Sequence, residues 1–225
     1  MSTIDVYLEI GNKRTFACAA AWPGWCRSGR DETAALQILL DYAPHYAQVV
    51  QSTPMAFATP EDTAVFNGVE RLAGNATTDF GVPEQPPAGE RQPVNQAELE
   101  RFQTLLQACW QAFDRAVQQA TGKELRKGPR GGGRDLDKIV EHVLAADASY
   151  LRRLSWQFKR DEETDPNVEL ARTRQAILDA LTTAVTEGLP EKGPRGGKLW
   201  LPRYFVRRVA WHVLDHTWEI EDRII

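Results

Sequence analysis

The C-terminal segment 203–225 carries the most regular hydrophobic pattern in the chain. It contains no proline or glycine, and apolar or imidazole side chains recur every three or four residues, at Phe205, Val209, His212, His216 and Ile220. This spacing predicts one face of an α-helix. Two of the four histidines therefore lie one turn apart, in the middle of the face that is predicted to be buried.

Three earlier segments predict amphipathic helices of similar length. The first begins at Asn95, and Glu98 three residues later completes the pattern of a capping box. The second begins near Asp135, and the third ends at the Gly-Leu-Pro segment 188–190. Four amphipathic helices of this length predict a four-helix bundle.

The N-terminal part predicts a small α/β unit with the order β-β-α-β. Alternating patterns at 4–10 and 14–20, joined by a short turn, predict a hairpin. The segment 21–29 is predicted to be a loop, and 31–42 is predicted to be a helix that ends before a proline. One or two further strands are predicted within 55–82.

A change in composition separates the two parts. Residues 82–94 contain four prolines and almost no large apolar side chain, which is typical of an extended linker. We therefore place the domain boundary near Gln92, with a small α/β domain at 1–92 and a helical bundle at 93–225. The predicted fold class is α+β.

Composition limits the classes of function. The chain has 225 residues, of which 42% are hydrophobic, and a formal net charge of −4; this is an ordinary soluble composition without the basic excess of a nucleic-acid binder. We find no secretory signal and no membrane-spanning run, so we expect no nucleic-acid or membrane partner. The three cysteines, Cys18, Cys26 and Cys109, form no C-x-x-C pair. We interpret them as reduced thiols in a cytoplasmic protein, and a homodimer is compatible with the interaction-prone N-terminal part.

The histidines are the main candidates for chemistry. His142 lies on the second predicted helix, so a bundle could bring it to His212 and His216. Three imidazoles with an open fourth position are the pattern of a catalytic zinc site. The alternative is a set of hydrogen-bonded core histidines, and the sequence leaves both open. His45 follows Pro44 directly and is predicted to lie at the surface.

Acidic residues near these histidines are candidates for supporting roles. Glu219 lies three residues after His216 on the same predicted face, where it could orient an imidazole, bind the metal, or act as a catalytic base. A solvated acid near the helix end is the alternative. Asp147 is a further candidate on the second helix, and Asp215 is predicted to be at the surface.

The hexapeptide KGPRGG occurs twice, at 127–132 and 192–197, each time before a histidine-bearing helix. Glycine-rich backbone that leads with basic side chains into a helix N-terminus suits an anion. A small anionic substrate could therefore be held by four side chains: Lys127, Arg130, Lys192 and Arg195. The alternative is two flexible turns of similar composition. The pattern is not a Walker motif.

The order of the histidines resembles the DinB/YfiT-like superfamily of four-helix bundles, with His142 in IVEHVLAAD and the H-x-x-x-H pair of His212 and His216. The resemblance covers residues 95–225. It implies a divalent metal ion, zinc or nickel, and a transferase or isomerase activity that uses a low-molecular-weight thiol. Because Val213 follows His212, the HExxH motif of zincin hydrolases is absent.

The loop 23–29 and the following acidic-alanine helix start resemble HicB-like small α/β domains. That resemblance covers about a fifth of the chain and implies an interaction module without catalytic residues. The sequence therefore supports a metal-dependent enzyme, with a non-enzymatic interaction or stress-response module as the alternative.

Overall fold

Four β-strands and seven α-helices make up the part of the chain that the computed structural model describes, residues 3–127, 133–161, 163–193 and 197–225. The predicted α+β class is confirmed at this level. Internal contacts divide the chain into two compact units, Met1–Glu90 and Arg91–Ile225.

The N-terminal unit contains a four-stranded sheet with the order β3-β2-β1-β4. Its first three strands are antiparallel and β4 runs parallel to β1. The strands are β1 Ile4–Ile10, β2 Thr15–Ala19, β3 Cys26–Gly29 and β4 Phe66–Ala73. The helices of this unit are α1 Glu32–Asp41, α2 Ala43–Val50 and α3 Ala76–Phe80.

The predicted order β-β-α-β is only partly right. The hairpin is confirmed, but the predicted loop 21–29 contains β3, which pairs with β2. This strand has four residues of polar and small character, so it carries no alternating pattern, and only its pairing partner reveals it. Pro44 lies in the first turn of a second helix, α2, where proline is well tolerated.

The aromatic residues of the predicted loop belong to the core. Trp25 is fully buried, stacks on Tyr46 with ring centroids 5.8 Å apart, and donates its indole N–H to the Leu39 carbonyl at 2.9 Å. A Cβ at Gly29 would lie 2.4 Å from the Ala35 nitrogen. The absence of a side chain at Gly29 therefore allows α1 to pack directly on β3.

The cysteines differ from the prediction. Cys18 and Cys26 are register partners on β2 and β3, with Cα atoms 4.0 Å apart, and they form a disulfide. The expectation of three reduced thiols is therefore wrong, because the spacing of eight residues gives no hint that the two strands pair. Cys109 is free and buried, and burial raises the pKa of its thiol.

The C-terminal unit contains four long helices, α4 Gln96–Ala120, α5 Leu136–Tyr150, α6 Pro166–Thr186 and α7 Pro202–Arg223. Each of the four contacts the other three, and a 3-10 turn, Leu151–Leu154, follows α5. The predicted capping box is present, since the Asn95 and Glu98 side chains each accept from the other's backbone N–H. These four helices form the helical bundle referred to hereafter.

Helix α7 is more deeply buried than its stripe predicts. The five residues of the predicted face are buried, but so are Val206, Ala210 and Leu214 on other faces. The reason is that α4, α5, α6 and the 3-10 turn all contact α7. Among the described residues, no helix combines the length and the apolar character needed to cross a membrane.

Glu9 provides a test of the N-terminal unit. Its carboxylate is fully buried and accepts hydrogen bonds from Thr78 Oγ1 at 2.5 Å, from the Glu84 amide and from the Gln85 amide, both at 2.9 Å. Glu9→Gln replaces one acceptor oxygen with an NH₂ group that faces these donors. We expect it to lower the free energy of unfolding by about 1.5–3 kcal/mol and to accelerate hydrogen exchange at the two amides.

Urea unfolding and amide exchange measure both effects. The control is Glu61→Gln, since Glu61 is exposed. Unchanged protection of the Glu84 and Gln85 amides in Glu9→Gln would contradict a supporting role for the buried carboxylate.

Candidate metal centre

Three histidines converge inside the helical bundle. His142 lies on α5, and His212 and His216 lie one turn apart on α7. Their candidate ligand nitrogens all lie within 4.8 Å of one another, and the Nε2 atoms of His142 and His212 are 3.2 Å apart. These three residues are called the triad below.

The triad is accessible from one side. His212 and His216 are 6% and 8% exposed, whereas His142 is only half-buried. The ring centroids of the three imidazoles are 4.7–5.1 Å apart, and the Tyr150 ring lies edge-on to His212 at 5.8 Å. A small molecule would therefore reach the nitrogens from the side of His142.

Glu219 holds one ring of the triad. Its Oε2 accepts from Nδ1 of His216 at 2.7 Å, and its Oε1 accepts from the Arg223 guanidinium at 2.6 Å. The hydrogen bond from His216 is the main cause of a lowered pKa at Glu219, so this side chain is a carboxylate at neutral pH. With both oxygens engaged, the geometry favours the orienting role over the ligand and base roles that the sequence also allows.

Arg223 connects this carboxylate to the segment before α5. Its Nε donates to the Arg126 carbonyl at 2.9 Å, and another of its nitrogens donates to the Arg134 carbonyl at 3.0 Å. The Arg126 amide in turn donates to the Arg223 carbonyl at 2.7 Å. The end of α7 therefore binds residues on both sides of the first KGPRGG segment.

Burial favours the neutral forms of His142 and His212. It is the main cause of a lowered pKa at His142 and of a strongly lowered pKa at His212, and repulsion from the neighbouring imidazoles is the next cause. The positive charge of Arg134 lowers both pKa values further. Neutral imidazoles offer the lone pairs that a metal ion requires.

Two of the four basic side chains predicted to bind an anion, Lys127 and Lys192, lie in the described part of the chain, where neither contacts the triad. Lys127 and Lys192 are exposed, and neither contributes to the shifted pKa values of His142 or His212. Arg130 and Arg195 lie outside the described residues. The anion-binding role of all four remains a prediction.

Two residues given minor roles lie elsewhere. His45 is half-buried on α2 and stacks on Tyr42 with centroids 5.1 Å apart. Asp215 is half-buried, so the surface placement predicted for it holds only in part. Arg223, Tyr150 and Arg134 were not predicted to belong to the site, although the spacing of four between Glu219 and Arg223 is a signal for an ion pair on a helix.

Asp147 is a buried acid on α5 that forms no part of the triad. It is 1% exposed, and neither carboxylate oxygen makes a hydrogen bond of ordinary geometry with the described residues. Burial raises its pKa to about 7, against smaller lowering effects of the Arg174 charge and the Trp110 indole N–H. The Asp147 carboxylate does not shift the pKa of His142 or of His212.

Comparisons of the chain with protein-family models, with curated protein sequences and with solved structures find no match. The functional interpretation therefore depends on the residues of this chain and their geometry.

The raised pKa of Asp147 predicts a dependence of stability on pH. Between pH 3.8, the ordinary value, and about pH 7, the folded chain holds a proton that the unfolded chain releases. The contribution of this proton to the free energy of unfolding is fully present below pH 3.8 and is lost as the pH rises to about 7. Asp147→Asn removes the cost of a buried charge, so at pH 8 we expect it to raise the free energy of unfolding by at least about 1 kcal/mol.

Urea unfolding at pH 5 and pH 8 measures this difference, which should be smaller at pH 5. Asp137→Asn, at an exposed position on the same helix, is the matched control. Equal effects of Asp147→Asn at the two pH values would rule out a proton on the buried acid.

Proposed function

We propose that the helical bundle binds one divalent metal ion, zinc or nickel, through the triad, and that the ion serves a reaction on a small molecule. The observation that carries this proposal is the separation of 3.2 Å between Nε2 of His142 and Nε2 of His212. Two nitrogens bound to a tetrahedral zinc ion at ~2.0–2.1 Å lie roughly 3.3–3.4 Å apart. The separation of this pair therefore fits one shared ion with little movement.

The surroundings of the third ligand support the same proposal. His216 uses Nδ1 to bind Glu219, which leaves Nε2 for a metal, and a carboxylate on the far nitrogen is the usual support of a metal-bound imidazole. All candidate nitrogens lie within 4.8 Å, so small side-chain rotations bring His216 into range. Three ligands leave a fourth position on the side of His142.

A bound divalent ion would lower the pKa of a thiol or water at that open position and so produce a nucleophile at neutral pH. The residues of the chain then have separate roles: the triad holds the ion, Glu219 orients His216, and the half-buried His142 faces the entrance. The transferase or isomerase class and the low-molecular-weight thiol come only from the DinB-like resemblance. A cytoplasmic location and a homodimer likewise remain predictions, and the Cys18–Cys26 disulfide removes one reason for the former.

One observation favours the alternative, an interaction module with structural histidines. A separation of 3.2 Å also suits a hydrogen bond between two neutral imidazoles. This alternative requires no metal, so metal content separates the two functions.

Metal analysis of the purified protein tests the proposed site. We expect about one equivalent of zinc or nickel in the wild type and less than about a tenth of that in His212→Gln, because removing one of three ligands from a small site abolishes tight binding. His45→Gln is the matched control, since it changes the histidine outside the triad. A metal-free wild type that takes up neither ion from a buffered metal solution would sink the proposal.

The Glu219–Arg223 pair predicts a second result. We expect Glu219→Gln and Arg223→Gln each to weaken zinc affinity by roughly tenfold or more, as the loss of a carboxylate behind a metal-bound imidazole does. If Arg223 acts through Glu219, the double variant should be no weaker than Glu219→Gln alone. Competition with a chromogenic chelator gives the affinities.

The control is Arg203→Gln. Arg203 lies at the other end of α7 and pairs with Glu98 of α4. Additive effects of the two substitutions would show that Arg223 supports the site by another route, through the Arg126 and Arg134 carbonyls.

A further inference from the structure

The backbone of Arg134 is held by a hydrogen bond, whereas its side chain has no partner among the described residues. Its carbonyl accepts a hydrogen bond from Arg223 at 3.0 Å, and the same arginine pairs with Glu219 behind His216. A Cβ at the preceding Gly133 would lie 2.7 Å from that Arg223 guanidinium, so the backbone passes close to it. In the described ranges, the Arg134 guanidinium itself makes no hydrogen bond or ion pair, and the residue is exposed.

The backbone of Arg134 lies close to the side chains that support the triad, through its contact with Arg223. Arg134 stands immediately before α5, about two turns of backbone from His142, the most exposed member of the triad. Its positive charge acts on both His142 and His212. The hydrogen bonds from Arg134 through Arg223 and Glu219 to His216 thus hold this exposed arginine beside the triad.

Two other charged side chains near the triad are already engaged. Glu219, the carboxylate that binds the triad, is already shared between His216 and Arg223. The other arginine whose charge reaches His212 is Arg208, but it is 6% exposed and its guanidinium lies 4.8 Å from the Trp211 ring centroid, so it belongs to the core. Of the two described arginines whose charge acts on the triad, Arg134 is thus the exposed one.

We propose that Arg134 binds the carboxylate of a small molecule whose other end occupies the open position at the triad. The inference depends on the proposed metal site and names the class of its ligand: a metal-binding head group joined to an anionic tail. An exposed guanidinium pairs with a carboxylate through two parallel N–H donors, which selects for planar anions. In this way Arg134 distinguishes acids from their neutral analogues.

A matched pair of thiols tests this assignment on the full chain loaded with cobalt(II), whose charge-transfer absorption reports thiolate binding. The probes are 3-mercaptopropionate and neutral 3-mercaptopropionamide, which differ only in the carboxylate. We expect the wild type to bind the acid about two- to fivefold more tightly than the amide, as an exposed ion pair allows. This preference should decline as salt is added.

Arg134→Gln should abolish the preference and Arg134→Lys should retain part of it. Arg115→Gln, at an exposed arginine of α4, should keep the preference intact. Cobalt content is measured for every variant, so the two proposals fail in different ways. A wild type that binds no cobalt overturns the metal site and this inference together.

If cobalt is bound and Arg134→Gln keeps the preference for the acid, the inference about Arg134 is overturned and the metal site stands. If Arg134→Gln and Arg134→Lys both lose cobalt, Arg134 acts on the assembly of the triad, which also overturns its assignment as a ligand-binding residue.

Discussion

The burial of α7 is the constraint on which the C-terminal unit depends. Fifteen of its 22 residues are buried, so most polar groups on this helix must find partners inside the protein. Thr217 does so by donating to the Val213 carbonyl at 2.8 Å. His216 does so through Glu219 at 2.7 Å. Buried polar side chains cost free energy unless they have polar partners. The buried imidazoles of His212 and His216 find such partners because they lie close to each other, to His142 and to Glu219.

The same burial explains which features the sequence predicts well. The face of α7 and the capping box of α4 depend on residues close together in the chain, so their spacing alone predicts them. The convergence of His142 with His212 and His216 is a long-range contact, but in a bundle it follows from the positions of the histidines along their helices. The stripe of α7 does not predict how deeply the helix is buried, because contact with three other helices and a 3-10 turn also buries faces outside the stripe.

Features that depend on pairing between distant backbone atoms are not predictable in this way. Strand β3 has four residues and is recognisable only through its pairing with β2, and the disulfide between Cys18 and Cys26 follows from the same register. The contacts of Arg223 are similar. Its pairing with Glu219 is a local helix spacing, whereas its hydrogen bonds to the Arg126 and Arg134 carbonyls require the end of the chain to return to the segment before α5. These contacts connect the Glu219–Arg223 pair, which holds His216, to the backbone that precedes α5, the helix of His142.

The protons of the triad distinguish its two possible states. Because His216 donates Nδ1–H to a carboxylate, its Nε2 carries a lone pair when the ring is neutral. Without a metal, one proton shared between His142 and His212 satisfies their facing nitrogens. If His212 donates it, the lone pair of the buried His212 Nδ1 has no donor among the described residues; if His142 donates it, the N–H of His212 lies on Nδ1 and has no acceptor there. A divalent ion shared by the triad would need a lone pair on both facing nitrogens and would place the single N–H of His212 on Nδ1. The closed cluster and the proposed metal site therefore differ in the tautomer of one ring, because the hydrogen bond needs a proton between the two Nε2 atoms, whereas a shared ion needs a lone pair on each.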